Sequence, residues 1–414
     1  MSSTLITHIK GLVGTHSGEV KLLKGADMGM LPVLADSWLL IEDGKFKDFG
    51  EMGSLPSNVT NLSAQISAKG KFLLPAWCDS HTHLVFAASR EEEFVMKIRG
   101  QSYEEIAAAG GGILNSAAKV QGASEDKLFE SAWNRLEEVI RLGTGAIEIK
   151  SGYGLTADSE LKMLRVIRRL KEAAPVPVKA TFLGAHAYPA NFKNDHEGYL
   201  KLLTGELIPQ VAGENLADYI DVFCEQGFFT VDETSRILEA GAKYGLKAKI
   251  HANQLSATGA VETGVAHGAL SVDHLEVMNE AALSSVSNSD TIATLLPSCS
   301  LFLGIPFADA RSLISRNTTV ALASDFNPGS TPSGNMNLVV SLACMRLKML
   351  PEEAINAATI NGAAAMDLAH SHGSIARGKA ANFFITHAIP SLAYMPYSFG
   401  SNHIERVFIN GKVY

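Results

Sequence analysis

Phe72-Leu73-Leu74-Pro75-Ala76-Trp77-Cys78-Asp79-Ser80-His81-Thr82-His83 opens with an apolar run that reads as a strand and ends in two histidines one residue apart. Residues two apart on extended backbone project to the same side, so both imidazoles can reach one cation; as a pair alone they could equally stand on the surface. The pattern then repeats. Strand-like runs at 145–149, 178–183, 219–224, 246–250, 270–272, 291–296 and 319–323 follow, most of them leading into an ionisable or polar residue: Tyr153, His186, Glu225, His251, His274 and Asp325. Stretches of helical periodicity, including 126–142, 159–174 and 231–244, fill the intervals. Eight strands alternating with helices predict an α/β fold, a TIM-like (β/α)8 barrel with its function at the carboxyl ends of the strands.

Outward from this core the texture changes. Short extended runs at 4–7, 37–41 and 45–49 precede it, and runs at 381–385 and 405–409, the latter before the turn pair Asn410-Gly411, follow it. The expectation is a small β-sandwich domain composed of residues 1–72 and 366–414, around a metal-dependent barrel at 73–365. With 414 residues, 46% hydrophobic and 19% charged, the chain can bury a large core, and length suggests about two or three domains. No apolar run approaches the roughly 18 residues that cross a bilayer, so a soluble protein is expected. Lys+Arg 35 against Asp+Glu 43 gives a net charge of −8 without a basic cluster, which argues against nucleic acid as a partner. The first ten residues lack the basic start and apolar stretch of a secretory signal, so the cytoplasm is the expected compartment. Cys78, Cys224, Cys299 and Cys344 are scattered through apolar sequence with no Cys-x-x-Cys pair, and read as buried thiols.

His251 and Asp325 end two further strands of the barrel that carries His81 and His83. Three ring nitrogens and one carboxylate suit zinc or ferrous iron, so a single site of His81, His83, His251 and Asp325 accounts for all four. One zinc or iron ion per chain is expected, with a bound water of lowered pKa as the nucleophile. His274 offers a fifth ligand, a general base or a satisfied core imidazole, and the base is the reading adopted. His186 offers a substrate contact or packing, and the contact is favoured. His8, His16, His370, His372, His387 and His403 fall off the strand ends and are expected in solvent.

Together, the first-strand His-x-His, the fifth- and sixth-strand histidines and the eighth-strand Asp resemble the amidohydrolase superfamily, whose members hydrolyse amides, amidines and related bonds on metal-bearing barrels. Longer stretches resemble one branch of it: Asp79-Ser80-His81-Thr82-His83-Leu84-Val85-Phe86-Ala87-Ala88-Ser89-Arg90, Ala109-Gly110-Gly111-Gly112-Ile113-Leu114, Ile147-Glu148-Ile149-Lys150-Ser151-Gly152-Tyr153-Gly154 and Ser324-Asp325-Phe326-Asn327-Pro328-Gly329-Ser330. That branch opens the ring of 4-imidazolone-5-propanoate to N-formimino-L-glutamate in histidine degradation. The resemblance implies a zinc or iron ion on His81, His83, His251 and Asp325, and a small-molecule substrate touched by Arg90, Tyr153, His186, Gln254, Asn327, Gly329 and Ser330. It implies His274 as base, Asp325 as proton courier, and a homodimer. Arg90 offers a planar fork for the propionate, with Tyr103 as a weaker candidate for the same group. Gln254 departs from the pattern: some members and many deaminases carry a proton-shuttling Glu there, and an amide cannot shuttle protons.

Three other readings stay open. A hydantoinase or dihydroorotase requires a carboxylated Lys at the fourth strand end, where Asp221-Val222-Phe223-Cys224-Glu225-Gln226 has none. A metal-dependent deaminase of a small heterocycle shares the ligands but needs the Glu that Gln254 replaces. A non-catalytic amidohydrolase-like scaffold usually loses ligands, and this chain keeps all four.

Overall fold

Alternating β-formers build two sheets, one from the chain ends and one from the middle. The computed structural model describes residues 3–59, 64–101, 105 and 111–414; Tyr103 and the Ala109-Gly110 part of the glycine-rich motif lie outside them. β1 (Ser3–Val13), β2 (Val33–Glu42), β3 (Lys45–Glu51), β4 (Ala64–Ser67) and β5 (Lys71–Pro75) come first. The barrel strands follow as β6 (Trp77–Asp79), β7 (Thr144–Lys150), β8 (Val178–Ala185), β9 (Tyr219–Cys224), β10 (Lys247–Ala252), β11 (Ser271–His274), β12 (Ile292–Leu295) and β13 (Val320–Leu322). β14 (Phe383–Ala388), β15 (Ile404–Ile409) and β16 (Lys412–Val413) close the chain.

The end strands form a separate eight-stranded sheet in the order β16-β15-β14-β5-β1-β2-β3, with β4 also on β1. Its ladder forks at β1: the first half pairs with β4 from Thr4 to Thr7, and the second half with β5 at Gly11 and Leu12. Leu39, Phe46, Leu73, Phe383 and Phe408 fill one apolar cluster of this sheet, so residues from both ends share a core.

The middle strands run parallel in the order β6 to β13, eight in all. Helices on the outside bury apolar side chains against the sheet. In Glu125–Arg141, Leu128, Ala132, Leu136, Val139 and Ile140 are buried, and Ser124 caps the start by accepting from Lys127 N. The helices Glu125–Arg141, Ala157–Ala173 and Val231–Ala242 match the expected ones to within two residues. The barrel is nearly closed: beyond the ends of β6 and β13, Asp325 N donates to His81 O at 3.0 Å and His83 N to Phe326 O at 2.9 Å. Asp79 completes the seam by accepting from Ser324 N at 2.9 Å and Ser324 Oγ at 2.6 Å.

Several expectations need correction. The run at 72–78 is two strands in two sheets. Pro75 offers no N–H to a ladder; Ala76 N donates to Asn382 O at 3.0 Å and Trp77 N to Gly143 O at 2.9 Å, so the chain passes from one sheet to the other there. Cys344 is only half-buried, unlike the other three thiols, because its helix turns toward solvent from Met345 onward. His16 and His403 are buried rather than solvated, since each ring finds a partner indoors: His16 Nε2 meets Asn356 Oδ1 at 3.0 Å and His403 Nε2 meets Ser398 O at 3.2 Å. His372 is half-buried, with Ser371 Oγ at 2.8 Å from Nδ1. Among the described residues, no helix is long and apolar enough to cross a membrane.

Candidate functional site

Alternation along the barrel strands sorts their side chains. Ile220 and Val222 of β9 and Ile250 of β10 join the apolar core beneath the helices, while the residues between them meet one another across the barrel. At the carboxyl end this second set is a ring of donors. His81 Nε2 and His83 Nε2 each lie 3.6 Å from Asp325 Oδ1, and His251 Nε2 lies 3.4 Å from His83 Nε2. All four residues are buried. Their convergence follows from the seam, which brings the ends of β6 and β13 together, with β10 supplying His251 from across the barrel.

The opposite edges of two rings are anchored by carboxylates. His81 Nδ1 is 2.6 Å from Asp273 Oδ2, and His251 Nδ1 is 3.0 Å from Asp221 Oδ2. Such partners hold the Nδ1 proton and leave the Nε2 lone pair free. His81 Nε2 is nevertheless buried without a hydrogen-bond partner. Unprotonated nitrogens facing one another and a carboxylate, with no protons between them, are costly in a dry interior and suit a cation. This donor set of three imidazoles and a carboxylate therefore fits zinc or iron.

Beneath it lies a fully buried ionic layer. Lys150 Nζ is 2.6 Å from Glu148 Oε1, 2.8 Å from Asp221 Oδ2 and 3.8 Å from Asp273 Oδ2, and Lys249 pairs with Glu148. Burial alone would lower the Lys150 amine, but the carboxylates of Asp221, Glu148 and Asp273 outweigh it and hold the amine above its ordinary value. Burial likewise opposes ionisation of Asp221, yet His251 and Lys150 hold its carboxyl well below the usual range. His81 is held neutral, first by burial and then by Lys150. These five charged residues went unread in the sequence as a layer, although Glu148-x-Lys150 and Lys249-x-His251 show the two-residue spacing of one strand face.

His274 stands beside the donors, its ring centroid 5.6 Å from that of His81 and 5.3 Å from that of His251. Its backbone φ is +89°, and Asp325 has +57°, left-handed conformations that non-glycine residues rarely hold without a fixed surrounding. His274 Nδ1 is 3.5 Å from Glu276 Oε1, which leaves Nε2 as the other ring nitrogen for the pocket. Burial lowers the imidazole and Glu276 more than restores it, so the ring titrates above its ordinary value.

A small cavity opens over the donors, lined by His83, Tyr153, His186, Phe223, His251, Gln254, His274, Asp325, Asn327 and Ser330. Tyr153 reaches it from a turn that Glu160 holds: the buried carboxylate accepts from Gly152 N at 3.0 Å, Gly154 N at 2.7 Å and Leu155 N at 3.1 Å. Gly152 has φ +111°, and a Cβ on Gly154 would meet Glu160 N at 2.5 Å, so both glycines are required there. His186 Nδ1 donates to Gly152 O at 3.0 Å, and burial, then His251, lowers its pKa to about 3, so its Nε2 is a neutral acceptor. Asn327 folds the last loop, its Oδ1 accepting from Gly329 N and Ser330 N at 2.8 Å each, and Ser330 Oγ is 3.3 Å from Asp325 Oδ2. Glu225 fixes the loop of Gln254 by accepting from Leu255 N at 2.9 Å and from Ser256 Oγ.

Arg90 lies at the edge rather than in the cavity wall. Its guanidinium is 5.8 Å from the Tyr153 ring centroid, and Nε donates to Ser116 Oγ at 2.8 Å. A Cβ on Gly329 would meet Arg90 Nη1 at 2.6 Å, so the glycine makes room for the fork. Among the described residues no carboxylate pairs with Arg90. All the expected site residues thus gather at one end of the barrel. Those that sequence reading missed are Asp221, Asp273, Glu160, Glu276 and Phe223.

Comparisons with known proteins show the family and the fold. The model of the amidohydrolase family matches residues 72–414. Imidazolonepropionase of Christiangramia forsetii is 55% identical over 409 residues, covering 99% of each chain. That of Flavobacterium johnsoniae is 53% identical over 410 residues, again 99% of each. Among solved structures, an adenosine deaminase from Xanthomonas campestris with bound zinc superposes with TM-score 0.68 over 99% of this chain and 92% of that one, at 16% identity.

Proposed function

The chain belongs to the amidohydrolase family, and we propose that its site performs the imidazolonepropionase reaction as follows. 4-Imidazolone-5-propanoate and water give N-formimino-L-glutamate by opening the ring amide in histidine degradation. The observation that carries the assignment of residues is the meeting, at one barrel end, of the converging donor set with a guanidinium that pairs with no carboxylate among the described residues and can take the propionate.

His81, His83, His251 and Asp325 would hold a zinc or iron ion, which when bound would lower the pKa of a water so that hydroxide is available near neutral pH. His274 accepts the water proton at Nε2, while Glu276 keeps the ring turned by its contact at Nδ1. Arg90 grips the propionate through its planar fork, and Tyr153 lies under that fork. The Gln254 side chain and the neutral His186 Nε2 offer hydrogen bonds to the ring, and the loop of Asn327, Gly329 and Ser330 closes the remaining side. These contacts place the ring carbonyl for attack and contribute orientation rather than chemistry. As hydroxide adds to the carbonyl carbon and the ring carbon–nitrogen bond breaks, the remaining hydroxide proton passes by way of Asp325 to the departing amidine nitrogen and leaves a carboxylate on the product. Gln254 cannot carry it, being an amide.

The four cysteines are all free, as suits a reducing cytoplasm, where we place the enzyme. A homodimer is proposed on the family resemblance, and light scattering of the purified chain tests it. The decisive assay supplies freshly made 4-imidazolone-5-propanoate to the metal-loaded chain and follows loss of ring absorbance and appearance of N-formimino-L-glutamate. Ammonia release from guanine or cytosine, with the imidazolone left intact, would replace this reading with a deaminase.

A further inference from the structure

Beside the four converging donors lies a second set of ligand atoms that the reaction does not use as ligands. A ring nitrogen of His274, a carboxylate oxygen of Glu276 and the sulfur of Cys299 all lie within 4.8 Å of one another. The three residues are 2%, 8% and 0% exposed. Ser300 Oγ donates to Glu276 Oε1 at 3.0 Å and Gln254 Nε2 to Cys299 Sγ at 3.4 Å. Glu276 Oε2 is buried without a hydrogen-bond partner, and His274 Nδ1 has only the long contact to Glu276 Oε1 at 3.5 Å. A buried carboxylate oxygen without a partner calls for an explanation, and here an imidazole and a thiol each bring a ligand atom within 4.8 Å of the carboxylate group.

We propose that His274, Glu276 and Cys299 form a second metal site, for a thiophilic divalent ion such as zinc, whose occupation switches off the base. Nitrogen, oxygen and sulfur together are a zinc ligand set, and a thiolate selects against magnesium and calcium. Binding is a ligand exchange: the ion takes a sulfur lone pair, the thiol proton leaves to solvent, and Gln254 N–H remains to support the thiolate. Glu276 and the thiolate then balance the two positive charges. An imidazole bonded to an ion through Nδ1 carries its single proton on Nε2, so it can no longer accept one from water. Zinc beyond the first equivalent therefore inhibits. The switch rests on His274 being the base; the binding of the ion does not.

Cobalt separates the two. A chain freed of metal and given Co2+ stepwise binds two ions, one of which brings a near-ultraviolet sulfur-to-cobalt band. Cys299→Ser, checked for folding by circular dichroism, keeps one ion and loses the band, and Glu276→Gln weakens it. In assays with zinc, wild type slows as the second equivalent binds, and Cys299→Ser requires at least about tenfold more zinc for the same inhibition. Uptake of a single ion, a second ion without the sulfur band, or the band persisting in Cys299→Ser would overturn the site. A sulfur band with undiminished activity would overturn the switch, and with it His274 as the base.

Discussion

His81 shows how one residue gathers several constraints: a carboxylate on one nitrogen, an unpartnered lone pair on the other, and no solvent. A site of this kind depends on every donor, because two or three that remain bind a cation far less tightly. His251→Ala and Asp325→Ala are expected to emerge from dialysis without metal; full occupancy in Asp325→Ala would take Asp325 out of the ligand set. His274→Asn behaves differently. It should retain its metal and lose about two to four powers of ten in rate, the usual worth of a positioned base, and a near-normal rate would send the proton elsewhere. Arg90→Lys keeps the charge and loses the paired fork, so KM should rise with metal content and kcat little changed; an unaltered KM would detach Arg90 from the propionate. The residues legible beforehand were those at strand ends. Glu276 was not, because nothing in a lone Glu two positions after His274 says that its side chain turns back to the ring.

At the scale of elements, the turn after β7 shows how a strand end becomes a binding surface. Glu160, in the first turn of the helix Ala157–Ala173, accepts three backbone N–H groups and fixes the residues on either side of Tyr153. Glu160→Ala strands those buried donors, at a cost of about 1–3 kcal/mol for a buried group left unsatisfied. The expected result is a lower unfolding midpoint together with a raised KM and retained metal; a change in stability alone would make the turn merely structural. The strands themselves were found from their apolar runs. The exception, 72–78, failed because an apolar run carries no mark of which sheet its hydrogen bonds enter, and only the break at Pro75 and Ala76 decides it.

Over the whole molecule, the segment after the barrel ties the two sheets together and carries a pH dependence of its own. Burial, then Lys379, lowers the His372 imidazole to about 4. In the unfolded chain it titrates near 6.5. Above that pH both states are neutral and its stabilisation is complete; as pH falls from about 6.5 to about 4 the unfolded chain binds the proton first, and stability drops by up to about 1.4 kcal/mol per unit. Denaturant titrations at pH 7 and pH 5 should show this loss in wild type and a smaller one in His372→Gln; equal losses would clear His372 of the effect. The histidine was expected in solvent, since burial of a residue outside the periodic elements leaves no trace in local sequence. Sequence alone determined the eight strand–helix units, the chemistry at their ends and the extended character of both chain ends, because alternation, apolar runs and ionisable residues are local properties; that the two ends join in one sheet is decided by pairing across the chain. Tertiary structure alone decided which strand face turns inward, so that Glu148, Lys150, Asp221, Lys249 and Asp273 form a paired layer under the donors. It also decided that β6 and β13 meet through Asp79 and Ser324. Register depends on neighbouring strands tens of residues away and closure on Asp79 and Ser324 at opposite ends of the barrel's strand order, and the cost of burying an unpaired charge is what selects them.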